Sequence, residues 1–311
     1  MNGKGEKYLR PGDVARLRGL RLLPSRRVSG VMSGAHASTA AGRSVEFTDY
    51  RAYGPGEDPA GIDWKVYARS DRLYVKRHEQ EAMQSVGVLI DASASMGFTG
   101  IDSVGAAVKG DSKFDYAARL AAAIGYVVIE GGDRLGGGVS REGLADYQPA
   151  GGTQRTLRAM MDTWEGVEPG GAAGLGEAIE SVSGRLNNDA GGGSGGGGML
   201  IVLSDLLDED ARVLPALEAH RKRGGEAAVV HVLHPHEIDL PALGAASVVD
   251  CETDRVLAVD LGALRQRLDK RVQAFIDESR AAMTARCIVY RLAVCGHDPV
   301  EVLRGLLAAR R

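Results

Sequence analysis

Three polar side chains follow the apolar run 86–90 in close succession: Asp91, Ser93 and Ser95, with one small residue between each pair. The run has the composition of a buried strand, which places the carboxylate and both hydroxyls just beyond the strand's end. Mg²⁺ prefers hard oxygen ligands and retains several waters. The spacing therefore indicates a Mg²⁺ site. A serine nucleophile and a loop whose side chains only bind backbone N–H groups are the other open interpretations.

A second apolar run, 199–203, also ends in polar residues, Ser204 and Asp205. In an open α/β sheet, ligands bind at the carboxyl ends of the strands. If the strands formed by the two runs are neighbours, Asp205 converges with the three polar residues that follow the first run. The sequence thus predicts one metal site built from two strand ends. The predicted ligands are Asp91, Ser93, Ser95 and Asp205.

The nucleophile interpretation rests on Ser95, because the segment 93–97 is one residue away from the G-x-S-x-G pattern of α/β-hydrolases. Asp205 and a later histidine would supply the acid and the base in the chain order of those enzymes. Against this interpretation, position 93 is not glycine, and no HGG-type oxyanion loop lies upstream. The candidate bases are His231, His234 and His236.

These three histidines also alternate along a predicted strand and its end, so they share one face of it. Such an arrangement would suit a zinc site, but no cysteine or further histidine has a suitable spacing. A polar strand edge is therefore the preferred interpretation.

Strands and helices alternate from residue 86 onwards, and this alternation predicts a parallel, doubly wound α/β sheet. The predicted strands are 86–90, 134–140, 144–148, 199–203, 227–233 and 286–294, with a short hairpin at 246–250 and 255–259. The predicted helices are 114–130, 153–165, 174–187, 209–222, 261–283 and 298–310. Earlier in the chain, only a short helix within 62–70 and a strand within 72–81 are predicted.

The glycine-rich stretch 187–198 is predicted to be a flexible loop, since such a composition orders only at a high entropic cost. It is not a phosphate-binding loop, because it lacks G-K-[ST] and precedes a strand where such a loop follows one.

Composition narrows the class of protein. The chain has 311 residues and a net charge of -3, so a nucleic-acid partner is a poor expectation. Its three cysteines, Cys251, Cys287 and Cys295, form no C-x-x-C pair and indicate reduced thiols. No apolar run approaches the ~20 residues of a membrane span, and the N-terminus has no signal-like apolar core. We expect a soluble, cytoplasmic protein.

Two parts of the sequence resemble known families. The segment 91–96 resembles the metal-ion-dependent adhesion site of von Willebrand factor A domains. The segment upstream of it resembles the signature of the domain-of-unknown-function 58 family, and the resemblance is strong from about Ser29 to about Asp208. The matching stretches upstream are 34–38, 46–58, 62–64, 68–69, 75–76 and 79–81.

The resemblance implies a Rossmann-like, von Willebrand factor A-like domain with a small N-terminal β-rich addition. The corresponding domain boundaries are 1–28 for a weakly ordered or docking segment, 29–84 for the addition and 85–311 for the main domain. The resemblance implies no catalysis. It implies a protein-interaction role, with a MoxR-type AAA+ ATPase as the expected partner and Mg²⁺ as a weak cofactor. A metal-free structural assembly subunit is the other non-enzymatic alternative.

The resemblance also implies that one ligand is missing. Adhesion sites of this kind use a threonine in a G-x-T-x-L setting, and Ala173 occupies that position in the segment 169–175. Thr153 is the one substitute that the sequence offers, although it opens the preceding helix. We therefore expect a degenerate site that binds Mg²⁺ weakly.

Other residues match the family signature and are expected to have structural roles. A charged network of Asp58, Asp63 and Arg69 would hold the N-terminal addition, and its position near Trp64 and Tyr67 favours a packed environment. The structural signature residues are Glu46, Arg51, Asp58, Asp63, Trp64 and Arg69.

Overall fold

The computed structural model forms two compact units. Residues Met1–Ser25 and Gln84–Arg311 belong to the larger unit, and Arg26–Met83 form the smaller one. The described residues are 7–22, 46–54, 62–79, 83–101, 110–189, 197–207, 210–240, 245–249 and 256–309. Asp58 and most of the glycine-rich stretch lie outside these ranges, so the predictions about them stay predictions.

The first described segment of the larger unit contains helix α1 (Pro11–Leu17). Proline suits the first helical position, because its fixed φ matches that of a helix and no intrahelical hydrogen bond needs its N–H there. Tyr8, Leu17 and Leu22 are almost fully buried in the core of the larger unit. These three apolar side chains therefore attach the segment to the larger unit.

The described residues of the smaller unit form two antiparallel strands and a helix between them in sequence. Strand β1 (Glu46–Ala52) is followed by helix α2 (Trp64–Ser70) and by strand β2 (Tyr74–Glu79), which pairs with β1. The carboxylate of Asp63 accepts bonds from the N–H groups of Lys65 and Val66, so α2 begins where this cap is formed.

The larger unit is built on a six-stranded sheet. The described strands of the larger unit are β3 (Ser85–Asp91), β4 (Arg134–Ser140), β5 (Leu144–Gly151), β6 (Met199–Ser204), β7 (Glu226–Leu233), β8 (Ala245–Val249), β9 (Val256–Asp260) and β10 (Val289–Val294). The sheet order is β10-β7-β6-β3-β4-β5, and β8 and β9 form a separate antiparallel hairpin. The central strands β3 and β6 are buried along their whole length, as expected for continuous apolar runs.

Helices cover both faces of the sheet. They are α3 (Lys113–Glu130), α4 (Gln154–Glu165), α5 (Leu175–Asp189), α6 (Val213–Lys222), α7 (Pro235–Ile238), α8 (Leu261–Thr284) and α9 (Pro299–Ala308). One core cluster contains side chains of α3, α4 and α9, and the other contains those of α5 and α6. This arrangement confirms the predicted doubly wound α/β fold.

The sheet is mixed and not wholly parallel, so that part of the prediction is wrong. β5 pairs antiparallel with β4 at the edge of the sheet. Only residues 141–143 separate these two strands, and a parallel connection needs a crossover of a dozen residues or more. The short connection therefore makes β4 and β5 a hairpin.

Candidate functional site at the carboxyl edge of the sheet

The two polar strand ends lie side by side, as the sequence predicted. β3 and β6 are parallel neighbours, with Ile90 opposite Leu203 in the register. Directly beyond these two residues, the hydroxyl of Ser204 donates a hydrogen bond of 2.6 Å to Oδ2 of Asp91. The carboxyl edge of the central strands thus forms one polar cluster.

Asp91 is fully buried, and protein donors already bind both of its oxygens. Oδ2 accepts from Ser204, and Oδ1 accepts from the backbone N–H of Ser93 at 2.9 Å. Burial, and after it the negative charge of Asp205, raises the pKa of Asp91 to about 6. The hydroxyls of Ser93 and Ser95 are 3.1 Å apart and bind each other.

Asp205 binds an ammonium group. Its Oδ2 accepts a hydrogen bond of 2.7 Å from Nζ of Lys113, and its Oδ1 accepts from the N–H of Leu207 at 3.1 Å. The same Nζ lies 2.6 Å from Oε1 of Glu237. Lys113 is completely buried. Burial acts to lower the pKa of Lys113, but the carboxylates of Asp205 and Glu237 outweigh it and raise that pKa above its ordinary value.

Lys113 is a site residue that was not predicted from the sequence, although one local signal indicated it. Lys113 is the first residue of α3, directly after the capping residue Ser112. A cation in the first turn opposes the helix dipole, which favours negative charge there. A lysine at such a position needs carboxylates from elsewhere in the fold, and Asp205 and Glu237 supply them.

The loop that contains Ala173 lies against the loop of Ser93 and Ser95, which we call the serine loop, as the resemblance implied. The N–H of Ala94 donates to the carbonyl of Gly171 at 3.0 Å. At the end of β4, the hydroxyl of Ser140 donates to the carbonyl of Ala173 at 2.6 Å. Ala173 is buried, and its methyl group occupies the position where the resemblance implied a threonine hydroxyl.

Thr153 lies at the other end of the sheet, so its prediction as a substitute ligand is wrong. It follows β5, whose last residue, Gly151, pairs with Leu135 near the start of β4. The cluster lies near Ser140, at the other end of β4. Ser140 is five residues, or roughly 16 Å, from Leu135 along the strand. The hydroxyl of Thr153 instead caps α4 by accepting from the N–H of Thr156.

The residues as placed do not fit a divalent cation. The ammonium of Lys113 is already bound to Asp205, the carboxylate that would otherwise face the ion. A divalent ion about 4 Å from that ammonium would be repelled by on the order of 8 kcal/mol at an effective dielectric constant of about 20.

Each of the three candidate histidines has another role in the structure. Nδ1 of His231 is 2.7 Å from the hydroxyl of Tyr290, and burial lowers the pKa of His231 to about 4. His234 accepts from the N–H of His236, and His236 accepts from the N–H of Ile101. Ser95 shows a bond to Ser93 and none to an imidazole in the described ranges, so the arrangement differs from that of a serine hydrolase.

The structural signature residues lie in the smaller unit. Glu46 and Arg51 lie in β1, where they are opposite Glu79 and Val75 of β2. Arg69 is exposed in the last turn of α2. The expectation of a packed environment is wrong for the indole of Trp64, which is 60% exposed and meets the ring of Tyr67 edge to face at 6.1 Å.

The fold and this site define an α/β protein whose carboxyl edge carries a cluster of carboxylates and hydroxyls. The family described as "Protein of unknown function DUF58" matches residues 49–278, and the chain belongs to that family. The resemblance found in the sequence is thereby confirmed. Uncharacterised proteins of Mycobacterium tuberculosis and Mycobacterium bovis are 28% identical over 293 residues, which is 92% of this chain and 83% of each relative.

The comparison with solved structures gives matches whose TM-scores are below 0.5. BatB from Bacteroides thetaiotaomicron has a TM-score of 0.44 at 17% identity and covers 73% of this chain and 98% of its own. An aerotolerance-related membrane protein from Bacteroides fragilis has a TM-score of 0.45 at 19% identity, with the same coverage. A von Willebrand factor type A structure from Catenulispora acidiphila has a TM-score of 0.40 at 13% identity and covers 76% of this chain and 43% of its own. Among the described helices, none is both long and apolar enough to cross a bilayer.

Proposed function

We propose that this protein is a non-enzymatic, cytoplasmic adaptor that binds a MoxR-type AAA+ ATPase. The ATPase partner comes from the family resemblance, and the cytoplasmic location rests on the cysteine pattern and on the free thiols of Cys287 and Cys295. A non-enzymatic role is supported by the carboxyl edge, where the described side chains bind one another and form no nucleophile–base pair.

The observation that carries the proposal is the exposed aromatic pair on α2. Trp64 is 60% exposed and Tyr67 is 38% exposed, and their rings are in edge-to-face contact. Large aromatic side chains are usually covered within a unit, and they are enriched at protein–protein interfaces, where Trp and Tyr supply much of the binding energy. Trp64 is one of the family-signature residues, and the pair that it forms with Tyr67 would contribute to the surface that the ATPase contacts.

A binding experiment with single variants tests this function. We expect the wild-type protein to bind the purified ATPase in biolayer interferometry, and Trp64→Ala to weaken the affinity by roughly 30-fold or more, as for an interface hot spot. Tyr67→Ala should weaken it less, because less of its ring is exposed. Leu268→Ala is the matched control, since it removes an exposed apolar side chain from the larger unit.

Two results would count against the proposal. The first is no binding of the ATPase by the wild-type protein, either with ATP or without nucleotide. The second is binding by Trp64→Ala that equals binding by Leu268→Ala, because the aromatic pair would then have no part in the interface.

A further inference from the structure

Lys113 connects three separate segments at the carboxyl edge. It begins α3, its ammonium binds Asp205 in the loop after β6, and it also binds Glu237 in α7. The second oxygen of Glu237 accepts from the backbone N–H of His234 at 2.7 Å, which caps the start of α7. One buried cation thus holds together a helix start, a strand end and a short helix.

We propose that Lys113 is the resident cation of this site, in place of a metal ion, and that it makes the carboxyl edge independent of Mg²⁺. The ammonium supplies the positive charge that Asp205 needs after burial, and three N–H donors let it serve two carboxylates at once. This inference concerns residues of this chain alone and does not depend on which partner the protein binds.

The placement of Lys113 is otherwise unfavourable, which is the strongest argument for this role. Its side chain is completely buried, and it lies in the first turn of α3, where the helix dipole opposes a positive charge. A buried ammonium is tolerated only when it is paired and hydrogen-bonded. Both carboxylate contacts are short, at 2.7 and 2.6 Å, so the ammonium is paired at this position.

The carboxylate of Asp91 and the two serine hydroxyls also have protein partners. The hydroxyl of Ser204 and the N–H of Ser93 bind the two oxygens of Asp91. The two serine hydroxyls of the serine loop bind each other, and the neighbouring loop presents the methyl group of Ala173. A divalent ion would therefore have to displace existing protein bonds as well as the ammonium.

Thermal unfolding of four proteins tests the pairing: wild type, Lys113→Met, Asp205→Asn and the double variant. Breaking one partner of a buried pair leaves an uncompensated charge, so Lys113→Met should lower the unfolding midpoint by on the order of 10 °C. The double variant should lose less than the sum of the two single variants, because it buries no unpaired charge at this contact. Lys222→Met is the control, since it breaks an exposed pair with Glu218 and should shift the midpoint by about 1 °C.

The same measurement in 1 mM EDTA and in 10 mM MgCl₂ at constant ionic strength tests independence from metal. We expect the wild-type midpoint to be the same in both. A wild-type midpoint that rises with Mg²⁺ would overturn the proposal, as would strictly additive losses in the double variant. If Lys113→Met does not fold, the wild-type comparison and the double variant still decide, because a folded double variant supports the pairing and an unfolded one contradicts it.

Discussion

At the scale of single residues, burial decides the chemistry of the charged and titratable groups. Asp91, Asp205 and Lys113 are fully buried at the carboxyl edge, and each binds a group of opposite charge or a hydrogen-bond partner. His220 is equally buried on another part of the larger unit, between the hydroxyl of Ser183 at 2.7 Å and the carbonyl of Glu226 at 3.1 Å. Such groups contribute to stability only in one protonation state.

The pH dependence of stability follows from His220. Burial lowers the pKa of its imidazole, so the folded state favours the neutral form. The stabilisation is fully present above the unfolded pKa of about 6.5 and is lost as the pH falls below it towards the lowered folded value. We therefore expect the difference in unfolding free energy between the wild type and His220→Gln to shrink as the pH falls from 7.5 to 5 in urea titrations.

The control for this prediction is His297→Gln, which changes an exposed imidazole and should leave the free energy of unfolding close to that of the wild type. A difference between wild type and His220→Gln that stays constant from pH 7.5 to pH 5 would show that this histidine is not held neutral by the fold.

Only part of the site is readable from the sequence at this scale. The polar residues at the ends of β3 and β6 could be predicted, because an apolar run that stops at a carboxylate marks a strand end. The pairing of Lys113 with Asp205 could not, because 92 residues separate them and no local periodicity relates a helix start to a distant strand end. The helix-dipole conflict at Lys113 is the one local sign of the pair.

At the scale of elements, a glycine run in β4 brings neighbouring strands close. Gly137 has a φ of +135°, and a Cβ atom at this position would lie 1.8 Å from the carbonyl oxygen of Val88 in β3. Gly136 and Gly138 approach the backbone of β5 in the same way. These glycines allow β4 to pair on both sides despite the irregular register of its pairing with β5.

Gly137→Ala therefore tests this close approach. The methyl group has no space and the backbone conformation is unfavourable for alanine, so we expect the free energy of unfolding to fall by at least about 3 kcal/mol in urea titrations. Gly184→Ala is the matched control, since Gly184 lies in α5 and an added methyl group would meet nothing within 4 Å there, so alanine should stabilise by about 0.5–1 kcal/mol. Equal stabilities for the wild type and Gly137→Ala would contradict the account of β4.

From residue 86 onwards, the observed strands and helices lie close to the predicted ones, because long apolar runs and helical spacing indicate burial directly. Helix α1 was not predicted. It has seven residues, too few to show a periodicity, and the burial of Leu17 and its neighbours stabilises it. The predicted strand at 286–294 begins only at Val289, since the preceding helix α8 ends at Thr284 and a turn with Cys287 at a φ of 53° follows.

At the scale of the whole molecule, the two units carry different features. In the larger unit, the charged cluster is buried and Lys113 is paired with Asp205. In the smaller unit, the rings of Trp64 and Tyr67 are exposed. Under the two proposals made above, partner recognition belongs to the smaller unit and the cluster in the larger unit has a structural role. This division predicts that metal ions have no influence on the larger unit.

The most direct test of this account is a calorimetric titration of Mg²⁺ and Mn²⁺ into the wild type, Asp91→Ala and Ala173→Thr. We expect no saturable binding by the wild type and none by Ala173→Thr, because the ammonium of Lys113 stays bound to Asp205 in both. Saturable binding by the wild type that disappears in Asp91→Ala would contradict it. Binding gained by Ala173→Thr alone would also contradict it, since the missing hydroxyl, and not Lys113, would then be what prevents metal binding.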